Sequence, residues 1–235
     1  MRAIVFASGN VITLDPSKPR AEAAAIRHGK IIGVGTYREM MSLAGKNAKV
    51  MDLEGRALLP GFVDSHIHLT HYGLMLSSVV LDVRKAQSIH EIKEIIRKRA
   101  RKNPKGSWIT GHGWNTITLA EKRPPNRWDL DEVTPNIPVM VSDEGGHVCS
   151  VNSPALKLAN IGKDTKSPLG GKIDRDPDTG EPTGVLRETA ATRIEELIKY
   201  SDEELSQALT LALDEAVRLG LTSVHCAYEN AQNIR

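Results

Sequence analysis

The chain has 235 residues, 40% of them hydrophobic and 26% charged, with a formal net charge of +2. That length buries a substantial core as one large domain or two small ones, and near-neutrality gives no electrostatic reason to expect nucleic acid or an anionic membrane as a partner. Cys149 and Cys226 lie far apart in no CxxC pair, which argues against a disulfide framework or a cysteine zinc knuckle and fits a reducing compartment.

The apolar run at the start is too short for a secretory signal, and no stretch approaches membrane-spanning length, so a cytoplasmic location is expected. The first part reads as short strands over 4–7, 11–14, 23–27 and 31–34, punctuated by Gly9-Asn10, Asp15-Pro16 and His28-Gly29-Lys30. A short helix over 37–43 ends at Gly45, and two more strands follow over 49–53 and 56–59. Short β segments at this spacing predict a small sheet or half a sandwich.

From Phe62 onward, strands alternate with helices. Ser88-Ile89-His90-Glu91 is a capping box ahead of a helix with Ile89, Ile92, Ile95 and Ile96 on one face. Strands follow over 108–110, ending in Gly111-His112-Gly113-Trp114, and over 138–142, ending in Asp143-Glu144-Gly145-Gly146-His147. Asn152-Ser153-Pro154 starts a further helix, and 163–184 reads as loop or hairpin. A second capping box, Ser201 to Glu204, opens a long amphipathic helix that Gly220 stops, before a buried-looking strand over 221–225.

His66 and His68 end the apolar run Leu58-Leu59-Pro60-Gly61-Phe62-Val63-Asp64-Ser65, so on a strand both imidazoles leave the same face. Two neutral imidazoles placed in this way suit a borderline-soft divalent ion, zinc above all. The motif is weak alone, and a pair of surface histidines on a strand edge is the alternative. The Pro-Gly entry, the acidic Asp64 and the strand's carboxyl end, where α/β barrels place chemistry, favour the metal.

The stretch from Leu58 to His68 resembles the first-strand signature of the amidohydrolase superfamily. Three later segments are similar to one branch, the YtcJ-like metal-dependent amidohydrolases related to N-substituted formamide deformylase. They are Gly111-His112-Gly113-Trp114, Gly145-Gly146-His147 with Asn152-Ser153-Pro154-Ala155-Leu156, and Gly184-Val185-Leu186-Arg187-Glu188. The resemblance runs nearly end to end. It implies an α/β fold, a partial (β/α)8 TIM-like metal-dependent hydrolase barrel with an N-terminal half β-sandwich. Residues 1–58 would form the sandwich portion, and 59–235 the N-terminal part of the barrel with an inserted segment around 70–190. One or two divalent ions of the zinc type would serve hydrolysis of a C–N bond in a small-molecule amide, by bringing the pKa of a bound water to about 7 and polarising the carbonyl.

Related enzymes bridge two metals with a carbamylated lysine or, in some branches, a glutamate. No lysine here sits at a credible strand end, while Glu188 follows the apolar Val185-Leu186, so Glu188 joins His66 and His68 as a metal candidate. The alternative, a glutamate in a helix first turn favoured by the dipole, stays open. By the same resemblance His147, after two glycines, lines the substrate side; a structural loop histidine is the other reading. Trp114 is a pocket wall or part of the core, and His112 is structural. His225 is not counted as a ligand, the cysteines read as buried small side chains, and His28, His71 and His90 have no partner that singles them out.

The basic run of Arg97, Lys98, Arg99, Arg101, Lys102 and Lys105 lies on a helix's polar side and carboxyl end, without interleaved aromatics, and reads as a solvated face rather than a nucleic-acid surface. A complete barrel needs roughly 250 residues by itself. The resemblance therefore implies two further histidines, a general-base aspartate and the remaining strands after Arg235, so the chain is expected to be truncated, to be completed by a complementing C-terminal half, or to fold only as a homo-oligomer. Little or no turnover is expected of the chain alone, whether as the N-terminal half of an amidohydrolase or as a non-catalytic metal-binding remnant or subunit.

Overall fold

Turn residues and alternating apolar positions build the N-terminal strands β1 (Ile4–Ala7), β2 (Asn10–Ile12), β3 (Arg20–Ala21), β4 (Ala23–Arg27) and β5 (Lys30–Gly35). Helix α1 (Tyr37–Ala44) and strands β6 (Lys49–Asp52), β7 (Ala57–Leu58) and β8 (Phe62–Ile67) follow. The computed structural model describes residues 2–104 and 106–227. It divides the chain into one unit of Met1–Ser65 with Arg218–His225 and a second of His66–Val217 with the residues from Cys226.

In the first unit, a four-stranded sheet runs β5-β4-β1-β6, with β1 antiparallel to β4 and parallel to β6. A three-stranded sheet runs β3-β2-β7. Helix α1 starts from Thr36, whose hydroxyl accepts from the Glu39 amide while the Glu39 carboxylate accepts from the Thr36 amide at 2.8 Å. Its buried Met40 and Ala44 pack on Val5, Ala23 and Ala25.

The second unit contains α2 (Leu69–Leu76), β9 (Val80–Asp82), α3 (Ile89–Ala100), β10 (Ile109–Trp114), α4 (Arg127–Asp131) and β11 (Val139–Asp143). It continues with β12 (Val148–Val151), α5 (Ser153–Leu158), β13 (Gly171–Arg175), β14 (Pro182–Glu188), α6 (Thr189–Glu195) and α7 (Asp202–Arg218). Six strands form one mixed sheet in the order β13-β14-β12-β11-β10-β9. Strands β9, β10 and β11 are parallel, and from β11 outward each pairing is antiparallel. The Gly- and Pro-rich stretch closes as the β13–β14 hairpin.

Two cores hold this sheet. Ile89, Ile92 and Ile96 of α3 pack on Ile109, Val139 and Val141, and the helices α5 and α6 bring Leu156 and Ile194 onto Cys149, Val151 and Leu186. Burial pushes the Cys149 thiol pKa up, so it is an inert apolar group. Asn152 joins strand to helix from a fully buried position. Its Oδ1 accepts from the amides of Val139 at 2.9 Å and Ala155 at 3.2 Å, and its Nδ2 donates to the carbonyls of Thr134 at 2.9 Å and Ile137 at 2.7 Å.

The two predicted helix starts differ. Ser201 and Glu204 bond reciprocally, at 2.8 and 3.2 Å. At α3, the Ser88 hydroxyl accepts from the Glu91 amide, but the Glu91 carboxylate takes the amide of Gln87 instead. The Glu121 carboxylate arrives from 32 residues away to accept from the Ile89 amide, so a distant anion finishes this cap. Helices α2 and α7 meet at Gly73, where a Cβ would lie 2.1 Å from the Ala208 carbonyl oxygen.

The last strand, β15 (Leu221–Cys226), pairs with β8, with the Phe62 amide donating to the Gly220 carbonyl at 2.9 Å. The expectation of a buried strand is corrected: most of β15 is exposed, as are Phe62 at 56% and Val63 at 57%. Among the described residues this sheet has two strands, too few to bury a face of their own. Cys226 is likewise exposed rather than buried. Among the described residues no helix is long and apolar enough to cross a membrane.

Candidate functional site

Strand β8 delivers His66, and the chain passes through Ile67 to His68, the residue at the start of α2. Both histidines are exposed, with ring centroids 5.5 Å apart and planes at 81°. The strand expected to carry both stops one residue short: β8 ends at Ile67, and His68, at φ −107° and ψ 76°, stands between strand and helix, so the two rings meet across the strand end. Helix α2 begins at once, with the Tyr72 amide donating to the His68 carbonyl at 3.0 Å.

One turn on, His71 meets His112 of β10, with ring centroids 4.9 Å apart at 80°. This corrects the expectation that His71 has no distinguishing partner. The helix that follows the histidine pair is thereby seated at the carboxyl ends of the parallel strands. There Asp82, His112 and Ser142 occupy matching positions of β9, β10 and β11, so their side chains share one face. His112 Nδ1 lies 3.0 Å from Ser142 Oγ. Burial, then the neighbouring Arg84, pulls the His112 pKa below its ordinary value, against the opposing pull of Asp143, Asp82 and Glu144.

Asp82 takes a forked bond from Arg84, Nε at 2.9 Å and Nη2 at 2.7 Å, which holds its carboxyl below the usual range. Gly113, at φ 110°, makes room for this arginine, since a Cβ there would fall 2.2 Å from Arg84 Cγ. The cluster thus combines a cation, three carboxylates and a half-buried neutral imidazole at one edge.

The turn after β11 extends that edge. The Glu144 amide donates to the Trp114 carbonyl at 2.9 Å, and the Asp143 carboxylate accepts from the Val148 amide at 3.0 Å. This turn carries His147 to the end of β14. The Glu188 amide donates to the His147 carbonyl at 2.8 Å, and His147 Nδ1 bonds Glu188 Oε2 at 3.1 Å. Both side chains are solvent-accessible, at 71% and 56%.

The structure thus brings His147 and Glu188 together, and separately His66 and His68. Among the described residues, no group of three His, Cys, Asp or Glu side chains gathers as a metal site. Trp114 lies in the core at 3% exposure, its indole donating to the Val141 carbonyl at 2.9 Å. Of the basic run, Arg99 is a tether, donating to the carbonyls of Ser78 at 2.9 Å and Val79 at 3.1 Å; Lys105 lies outside the described residues. Sequence reasoning missed the Asp82–Arg84 fork and the His71–His112 contact. The available signal for the second was the spacing of His68 and His71 across a helix start.

The amidohydrolase family model matches residues 49–234. The chain belongs to the amidohydrolase family. An N-substituted formamide deformylase of Arthrobacter pascens is 34% identical, over 99% of this chain and 44% of its own length. The Bacillus subtilis (strain 168) protein YtcJ, an amidohydrolase by its name, is 34% identical over 96% of this chain and 42% of its own. An uncharacterized metal-dependent hydrolase from Pyrococcus horikoshii OT3, known from its crystal structure, superposes with a TM-score of 0.67 at 26% identity. That match covers 99% of this amidohydrolase chain and 44% of the Pyrococcus chain. The chain therefore spans less than half the length of these relatives.

Proposed function

We propose that this amidohydrolase chain supplies the metal-holding N-terminal part of an enzyme that cleaves the C–N bond of a small non-peptide amide. The observation that carries the reading is the His66–His68 pair, side by side at the end of β8 and leading into a helix docked on the sheet's carboxyl edge. In this reading the parallel strands belong to a partial (β/α)8 barrel, and the first unit to a half β-sandwich.

Imidazole nitrogen and carboxylate oxygen are the donors that a zinc-type ion takes. His66 and His68 would hold it; the resemblance adds Glu188 as a further ligand, although among the described residues it is paired with His147 and does not gather with the two histidines. Bound there, such an ion supplies a water acidified toward neutrality and a polarised amide carbonyl. The chain's own residues orient the reactants. His112 stays neutral through burial, His147 presents its exposed ring to the substrate side, and Trp114 buttresses the edge from within the core.

A second reading is a metal-binding chain that turns over only with further polypeptide. It is favoured by the exposed faces of β8 and β15, which additional strands would cover. The test is formate release from N-substituted formamides, the class in the name of the Arthrobacter relative. The Zn²⁺-loaded chain is compared with the same chain extended by the C-terminal part of that relative. Release by the chain alone supports the first reading in full, and release only by the extended protein supports the second. Folded, Zn²⁺-loaded proteins that both fail to release formate contradict the proposed chemistry.

A further inference from the structure

Ile109, Val139 and Val141 turn toward the core under α3. Alternation therefore puts Asp82, His112 and Ser142 on the other face of the sheet, where α2 brings His71 against His112. All three stand at the carboxyl ends of parallel strands, where α/β folds gather their ligands. Ser142 is buried, and its hydroxyl has one proton for two contacts, the Gly111 carbonyl at 3.4 Å and His112 Nδ1 at 3.0 Å. A carbonyl only accepts, so both contacts are hydrogen bonds together only when Ser142 donates to Gly111 and His112 Nδ1 carries its own proton. The ring is then neutral, and its Nε2 is a bare acceptor. Among the described residues Nε2 has no hydrogen-bond partner, and it is not closed off from solvent. Arg84 opposes a second positive charge beside the ring, while Asp82, Asp143 and Glu144 oppose an anion. A neutral N–H donor is what this nitrogen suits.

We propose that Ser142 is a positioning residue for His112, and that His112 Nε2 accepts the N–H of a secondary amide, so that N-monosubstituted amides are preferred over N,N-disubstituted ones. The inference rests on reading the carboxyl edge of the parallel strands as the place where the amide is cleaved. No proton changes hands: the amide keeps its N–H, and Nε2 supplies one lone pair. An N,N-disubstituted amide has no N–H to offer and leaves Nε2 facing an alkyl group. What it loses is one hydrogen bond between neutral groups, about fivefold in affinity.

The test is ¹⁵N NMR of the His112 ring in the 235-residue chain, without metal, titrated with N-butylformamide and with N-butyl-N-methylformamide. The free protein should show the Nδ1–H tautomer, replaced by a mixture of tautomers in S142A. N-butylformamide should shift Nε2 saturably, and the methylated amide should bind about fivefold more weakly. In H112F, followed on backbone amides, the two affinities should become equal. A wild-type ring protonated at Nε2 overturns the inference from the free protein alone. Equal affinities of the wild type for the two amides, or no saturable shift, overturn it as well. The hydrolase reading fails separately. An N–H preference in binding by proteins that release no formate upholds the acceptor and contradicts only the proposed chemistry; formate release from both amides at equal kcat/KM does the reverse.

Discussion

His71 of α2 and His112 of β10 stand edge to face, 4.9 Å between ring centroids. The contact ties the segment after His66 and His68 to the row formed by Asp82, His112 and Ser142. It makes the electrostatics of His112 part of the architecture. Burial lowers its pKa, so the folded chain binds the proton less readily than the unfolded chain. The stabilisation is complete above the ordinary histidine pKa of about 6.5 and is lost as pH falls through the lower folded value. Urea unfolding from pH 7.5 down to pH 5 should show stability falling in the wild type. H112Q should lose that component of the slope, and an identical slope in H112Q contradicts the assignment.

At Gly73 the backbone of α2 lies directly against Ala208 of α7. Because the opposing atom is the Ala208 backbone oxygen, 2.1 Å from an added Cβ, no side-chain rotation relieves the clash. G73A should lose about 1–3 kcal/mol, read as a lower urea midpoint at unchanged m. A midpoint equal to that of the wild type would mean the helices do not cross there.

Asn152 satisfies four backbone groups from a site with no access to water. N152A strands donors and acceptors that each cost about 1–3 kcal/mol when buried alone. A total loss of about 3 kcal/mol or more is expected in denaturant unfolding. A loss under about 1 kcal/mol would show that the network is dispensable.

Much of this was legible in the sequence where the determinants are local. Thr36 to Gly45, Asn152-Ser153-Pro154 and Ser201 to Gly220 carry their own start and stop chemistry, and the helices form there. The nearness of the His66 and His68 rings was legible in their spacing, although His68 lies just past the end of β8. What escaped depends on partners distant in the chain. Glu121 completes the cap at Ile89, and parallel register puts His112 between Asp82 and Ser142. The burial of β15 and Cys226 was misjudged because apolar composition does not say how many strands lie beside a strand.

Glu188 should show a trade between stability and site. E188G relieves a positive-φ strain of about 1–3 kcal/mol, offset by the entropy of glycine, for a net gain of about 1 kcal/mol. The same variant should bind Zn²⁺ more weakly. A destabilised E188G would mean that the conformation carries no strain worth relieving.

The proposed enzyme depends on His66 and His68 holding a divalent cation. Co²⁺ titration of the 235-residue chain, followed by its visible d–d absorption, tests it most directly. Saturable absorption is expected in the wild type and should disappear in the folded H66A/H68A double variant. An unchanged spectrum and affinity in that variant, or no saturable binding by the folded wild-type chain, would contradict it.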